Sequence, residues 1–103
     1  MVTPHQGEIW WADAEDKRRP VLIVSRSGSA AVLNRIVCAP VTRSIRGIPT
    51  EIRLGKSEGL KAECVASFDN LQLVRRASLA RRIGSLSNPH RLICKALSAL
   101  ADC

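Results

Sequence analysis

The sequence predicts a mainly β domain, a small barrel with one helix packed on it at the C-terminal end. Two observations predict it. Short apolar or alternating stretches recur about every ten residues, separated by Gly, Pro, Ser, Asn and Asp, which is the spacing of a small all-β domain. Helical periodicity is confined to the last fifteen or so residues, which carry an apolar stripe at three-to-four-residue spacing.

Gly7 to Asp13 reads as the opening strand, with Ile9-Trp10-Trp11 at its centre and the two indoles on opposite faces. Asp13 to Arg18 is a charged loop. Pro20 to Val24 is a continuous aliphatic run, the pattern of a strand buried on both faces. Ser25 to Ala31 is small and polar and reads as a turn. Leu33 to Thr42 is a third strand, with Pro40 near its end, where a missing amide does least harm. Arg43 to Pro49 is a basic loop. Glu51-Ile52-Arg53-Leu54 alternates as a half-exposed strand does. Another loop runs from Gly55 to Glu63. Cys64 to Val74 reads as one long strand, bent near Asp69-Asn70. The closing helix has Leu92, Ile93, Ala96, Leu97 and Leu100 on one stripe, with Arg91, Lys95 and Ser98 facing away. Asn88 is placed to cap it and Pro89 fits its first turn.

With 103 residues the chain makes a single domain, 1–103. Sixteen Lys and Arg against nine Asp and Glu leave +7, and 46% hydrophobic residues argue against disorder. Most of the cations are arginines, whose planar donor fork suits phosphate, and a net positive field favours polyanions. No apolar run approaches the ~20 residues of a membrane span, and the N-terminus has no charged-then-apolar leader pattern, so a cytoplasmic protein is expected. Cys38, Cys64, Cys94 and Cys103 are too far apart for a zinc motif, and four free thiols are expected, most of them core filler. There is no Walker loop, His-Glu-x-x-His or Gly-x-Ser-x-Gly. His5 and His90 read as an arm residue and a helix-start residue. Any active site must therefore be built from Arg, Thr, Ser, Asp and Glu.

Several segments, in order, resemble one family. Gly7-Glu8-Ile9-Trp10-Trp11-Ala12-Asp13, Arg19-Pro20-Val21-Leu22-Ile23-Val24-Ser25, Ala39-Pro40-Val41-Thr42, Pro49-Thr50-Glu51-Ile52, Gly59-Leu60, Phe68-Asp69-Asn70-Leu71 and Ile83-Gly84-Ser85-Leu86 are similar to the successive motifs of the MazF/PemK (Kid) toxin endoribonucleases. The resemblance implies an SH3-like barrel that forms a homodimer, cuts single-stranded RNA without a metal or cofactor, and is blocked by an acidic antitoxin. It implies a transfer of the phosphate to the RNA's own 2′-hydroxyl, leaving a cyclic phosphate and a free 5′-hydroxyl. The family's catalytic Arg and Thr fall on Arg19 and Thr42, and the Asp of Kid-like members falls on Asp69. Its usual Gln after that Asp is Asn70 here, which bears on base contacts. The first loop is short and lacks the family's Gly-Ser-x-Gln stretch, so the family's glutamate there has no clear counterpart in Glu15 or Asp16.

Those residue types suit the chemistry. An Arg fork stabilises charge on a phosphorane, and a Thr hydroxyl can donate to a phosphoryl oxygen. An Asp beside an Arg is a poor base, because the cation lowers its pKa; the base is left unassigned. Arg43, Ser44 and Arg46 stand beside Thr42 as groove candidates, whereas Arg75, Arg76, Arg81 and Arg82 read equally as a solvated face. Arg19 could instead pair with Asp13 or Asp16. Two other classes share the fold: a non-catalytic RNA binder, and a gyrase poison of the CcdB type, whose Trp-Gly-Ile tail is replaced here by Ala101-Asp102-Cys103.

Overall fold

The computed structural model describes residues 3–13 and 17–101. Within them the order is β1 (Glu8–Asp13), β2 (Arg18–Ile23), α1 (Ser27–Val32), β3 (Arg35–Thr42), β4 (Glu51–Leu54), β5 (Cys64–Ser67), β6 (Gln72–Arg75), β7 (Leu79–Ser85) and α2 (Pro89–Leu100). The mainly β class and the C-terminal helix are as the sequence predicts.

Every strand pairing is antiparallel, in the order β4-β5-β3-β2-β1-β7, with β6 also on β3. β3 is the hinge of the curl. Its first half, Arg35 to Cys38, pairs with β6, while Val41 and Thr42 pair with Ala66 and Val65 of β5. Its other edge pairs with β2, Val21 facing Pro40 and Ile23 facing Cys38. One strand thus belongs to two sheets, and the layer bends into a half-barrel around it.

The two faces of β1 and β2 carry two apolar clusters. Ile9, Leu22 and Val24 pack with Ala39, Ile52, Ala66, Phe68 and, from α2, Ile93 and Ala96. Trp10, Val21 and Ile23 pack with Ala30, Ile36, Cys38 and Leu79. The aliphatic run of β2 is therefore buried on both faces, which is why it does not alternate. The indoles of Trp10 and Trp11 part as strand geometry requires: Trp10 is buried, and Trp11 is half-buried.

Four local expectations change. The turn read at Ser25 to Ala31 contains most of α1, whose Ala30 is fully buried; with Ser and Gly filling half of it, so short a helix has no periodicity to read. The long strand from Cys64 is interrupted by a 3-10 turn at Phe68–Asn70, which moves the chain from β5 beside the end of β3 to β6 beside its beginning. β7 was not foreseen: only Leu79 is buried and its exposed arginines mask any alternation. Asn88 precedes α2 but does not cap it with its side chain, because it sits in the left-handed region (φ 52°, ψ 52°) and there redirects the chain.

The barrel closes through backbone contact. The turn after β4, Lys56–Glu58 followed by Gly59 at φ +92°, lies directly on β7. A methyl group on Gly84 would collide with the Glu58 carbonyl, and one on Gly59 would come to 2.8 Å from the Ile83 carbonyl oxygen. Gly84→Ala should therefore destabilise the protein by about 1–3 kcal/mol, the usual cost of forced overpacking. Gly28→Ala, in a helix with open space around it, should be neutral or stabilise by up to ~1 kcal/mol. Urea unfolding midpoints of the two variants check this; equal midpoints would show that the contact at Gly84 does not constrain the fold.

Candidate functional site

A cavity of about 590 Å³ opens where the end of β3 meets the closing turn and β7. Its walls come from Trp11 and Pro20 on β1 and β2, Val41, Thr42 and Arg43 at the end of β3, Gly59 to Ala62 in the turn, and Arg81, Arg82 and Ile83 on β7. The positions follow from register: Trp11 faces Pro20 on one side and Arg81 on the other. Cys64 closes the floor.

Charge in the cavity is one-sided. Arg43, Lys61, Arg81 and Arg82 line it, and among the described residues no Asp or Glu does. Glu8 stands behind Arg82, its Oε2 3.3 Å from Arg82 Nε. Its other oxygen accepts from Trp10 Nε1 (3.1 Å) and from the His5 amide (2.8 Å), so the carboxylate that orients Arg82 is itself held.

Thr42 is half-buried, and its Oγ1 accepts the Ser44 amide at 3.1 Å. A hydroxyl that accepts one bond still has its proton to donate. Arg19 is exposed on β2, opposite Ala12. The β2–β3 register pairs Val21 with Pro40, and continued by two residues it sets Arg19 opposite Thr42. Arg19 has no ion pair among the described residues; the alternative partner Asp13 is taken by Arg18 at 2.8 Å. Glu15 and Asp16 lie outside the described residues.

The other candidates form a second group. Asp69 Oδ2 accepts from the buried Thr50 hydroxyl at 2.6 Å, and Asn70 Nδ2 donates to Ser67 Oγ at 3.0 Å. Neither lines the cavity. Val65 pairs with Thr42, and Asp69 lies four residues further along the chain, on the order of 10 Å away at the rise of a strand. Arg46 belongs to the same side: its amide and that of Gly47 donate to the Glu51 carboxylate at 3.0 and 2.9 Å, which pins the β3–β4 loop, while the Arg46 side chain is exposed. The structure thus sets Thr42 and Arg43 on the cavity wall, with Arg19 and Ser44 at the same end of β3 but not among the lining residues, and Asp69, Asn70 and Arg46 apart from them. Trp11, Lys61, Arg81 and Arg82 join the first group. Only the pairing of β7 with β1 brings the two arginines to the cavity wall, and that pairing has two register shifts no sequence pattern encodes.

Among the described residues no three His, Cys, Asp or Glu side chains converge as metal ligands would, and Cys38, Cys64 and Cys94 are free. No described helix is long and apolar enough to cross a membrane.

Comparison with known proteins places this geometry. Residues 5–102 match the family described as PemK-like, MazF-like toxin of type II toxin–antitoxin system. A protein named probable endoribonuclease MazF5 of Mycobacterium tuberculosis is 37% identical, over 97% of this chain and 94% of its own length. The solved structure of M. tuberculosis toxin MazF-mt6 superposes with a TM-score of 0.79 at 34% identity, covering 88% of this chain and 92% of that one. A mycobacterial endoribonuclease solved in complex with its cognate antitoxin superposes with a TM-score of 0.80 at 27% identity, covering 94% of each chain.

The thiols should differ sharply in reactivity. Burial pushes Cys38 from its ordinary 9.0 up to about 12, and raises Cys64 as well, where Glu58 adds to the effect and Arg43 opposes it. A raised pKa means a neutral, unreactive thiol at pH 8. A thiol reagent at pH 8 should label the exposed Cys94 rapidly in the native protein and Cys38 only on unfolding, read by peptide mass spectrometry. By linkage, stability due to the buried Cys38 is full below pH 9 and lost as pH rises towards 12. Labelling of native Cys38 at the rate of Cys94 would contradict both statements.

Proposed function

The chain belongs to the PemK-like, MazF-like family of type II toxin–antitoxin toxins, and from that premise we propose that it is an endoribonuclease that cleaves single-stranded RNA by attack of the RNA's own 2′-hydroxyl. The observation that carries the reading is the cationic cavity with Thr42 on its wall and Arg19 on the neighbouring strand. The new bond runs from the 2′-oxygen to phosphorus, and the bond from phosphorus to the 5′-oxygen breaks. The products are a 2′,3′-cyclic phosphate and a 5′-hydroxyl, the 2′-proton being lost and the leaving oxygen gaining one.

Arg19 binds the non-bridging oxygens through its fork and stabilises the charge that grows on them. Thr42, anchored by the Ser44 amide, donates its proton to a phosphoryl oxygen. Arg43 and Ser44 hold flanking phosphates, with Arg46 and Asn70 further along the strand's path. Asp69, which the resemblance puts among the participants, is engaged by Thr50, and we assign it to holding the β3–β4 loop in place. The lack of a ligand cluster among the described residues supports a metal-independent reaction. The reading extends to a homodimer acting in the cytosol, and to an acidic antitoxin that competes for the cavity; the related mycobacterial complex and the one-sided charge support that partner.

Arg19→Ala should lower the cleavage rate by about 10²–10³ with the fold intact, the typical effect of removing one charge-stabilising donor. Thr42→Val should cost less, since only a hydroxyl is lost. Asp69→Asn keeps an acceptor for Thr50 and should keep cleavage within a few-fold. Single-turnover rates on a defined oligonucleotide give all three; full activity in Arg19→Ala would remove it from the reaction, and a loss in Asp69→Asn equal to that of Arg19→Ala would return Asp69 to it.

Cleavage should also continue in excess EDTA and leave ends that a kinase can phosphorylate at the 5′-hydroxyl. Activity lost on chelation and restored by a divalent cation would refute the metal-free mechanism.

A further inference from the structure

We propose that Trp11 is the platform on which one nucleobase of the substrate stacks, a subsite that rests on the reading of this chain as an RNA-cleaving enzyme and adds a residue to it. The two adjacent tryptophans have opposite fates. Trp10 is buried in a core cluster and its indole N–H is satisfied by Glu8. Trp11 is only half-buried and forms cavity wall. An indole left partly open to water forgoes hydrophobic stabilisation that a covering ring would recover.

The surroundings select the occupant. Pro20 pairs with Trp11 across the strands and Leu60 also lines the cavity, so part of the wall is apolar. Arg81, the partner of Trp11 on its other side, and Lys61 are also on the wall, and among the described residues no carboxylate is. A flat apolar surface rimmed by cations fits a base carrying its own phosphates. It fits less well the aliphatic and acidic side chains of a polypeptide, which offer carboxylates but no π-face. The volume, about 590 Å³, is that of a site for a molecule larger than a single base, which leaves room for the adjoining sugar and phosphates.

The experiment uses the full chain and an uncleavable 2′-deoxy oligonucleotide, with an abasic oligonucleotide of the same length as control. Both present the same charge, and only the first has rings to stack. Trp11→Ala should weaken binding of the first about 5- to 150-fold, the range for loss of one base–aromatic stack, and leave binding of the abasic strand unchanged. Trp11→Phe should restore most of the affinity, and Trp11→Leu should not. In cleavage, Trp11→Ala should raise KM more than it lowers kcat. Trp10→Phe leaves Trp11 the only tryptophan; its fluorescence should be quenched by the first oligonucleotide and not by the abasic one.

Other outcomes overturn the proposal. Equal affinity of wild type and Trp11→Ala for the base-bearing strand would do so, as would quenching that follows protein concentration, which puts Trp11 between two copies of the chain. A loss in Trp11→Ala confined to an acidic polypeptide would make the surface an inhibitor site. If the wild-type chain cleaves RNA while Trp11→Ala costs nothing, only the stacking platform fails. If the wild type neither binds nor cleaves RNA, the functional reading itself fails and takes this one with it.

Discussion

The backbone of the Lys56–Glu58 turn rests on β7 because Gly84 has no side chain, and the cavity depends on that contact. β4 and β7 are the two ends of the strand order and share no ladder hydrogen bonds. What joins them is the packing of Glu58 and Gly59 against Ile83 and Gly84. The turn is stiffened from within: the Glu58 carboxylate accepts the Gly55 amide at 2.7 Å, and the Glu58 amide donates back to the Gly55 carbonyl at 3.1 Å. A preformed turn on a glycine seat puts Leu60 and Lys61 across from Thr42 and Arg43. Without it, the sheet would be an open half-barrel and those four residues would line no common space.

β3 supplies the second constraint. A strand that changes partners midway has an end no longer held by its first neighbours, and Thr42 stands at that end, paired to Val65 rather than to β6. Thr42 is thereby half-exposed yet fixed on both sides, by the ladder and by the Ser44 amide. That combination suits a group that must meet a substrate in one orientation. Arg19 shares the advantage from β2, whose Val21, Leu22 and Ile23 are buried. Such placement on strands is firmer than placement on the loops between them.

The fold was legible where burial dictates sequence. The unbroken Val21–Val24 run, the stripe of α2 and the alternation at Glu51–Leu54 each have one structural solution. Two elements were missed where burial is slight: α1 rests on Ala30, and β7 on Leu79. The site divides in the same way. Arg19 and Thr42 lie in segments whose order resembles a known family, Arg43 was read from its place beside Thr42, and the fold sets all three at one end of β3. Asp69 falls in such a segment too, but its place depends on the break between β5 and β6, where one 3-10 turn decides whether it points along β3 or to Thr50. Lys61, Arg81 and Arg82 were readable only as charge, because their convergence is a property of barrel closure and not of neighbouring residues.

Four cations around one cavity repel one another, and the screening length at physiological salt, about 8 Å, is too long to remove that repulsion within a single cavity. Glu8 relieves part of it from behind. Its side chain is mostly shielded, so its attraction for Arg82 is less diluted by water than that of the exposed Arg18–Asp13 and Arg53–Glu63 pairs. Glu8 is also held by Trp10 and the His5 amide, so the carboxylate that pairs with Arg82 is fixed. Arg43, Lys61 and Arg81 have no ion pair among the described residues, so an arriving phosphate still meets a positive field. The relief is only partial, and an anion binding among Arg43, Lys61 and Arg81 completes it. The same unbalanced charge that makes the empty cavity costly is therefore what makes it selective for a polyanion, whether that polyanion is a substrate strand or an acidic inhibitor.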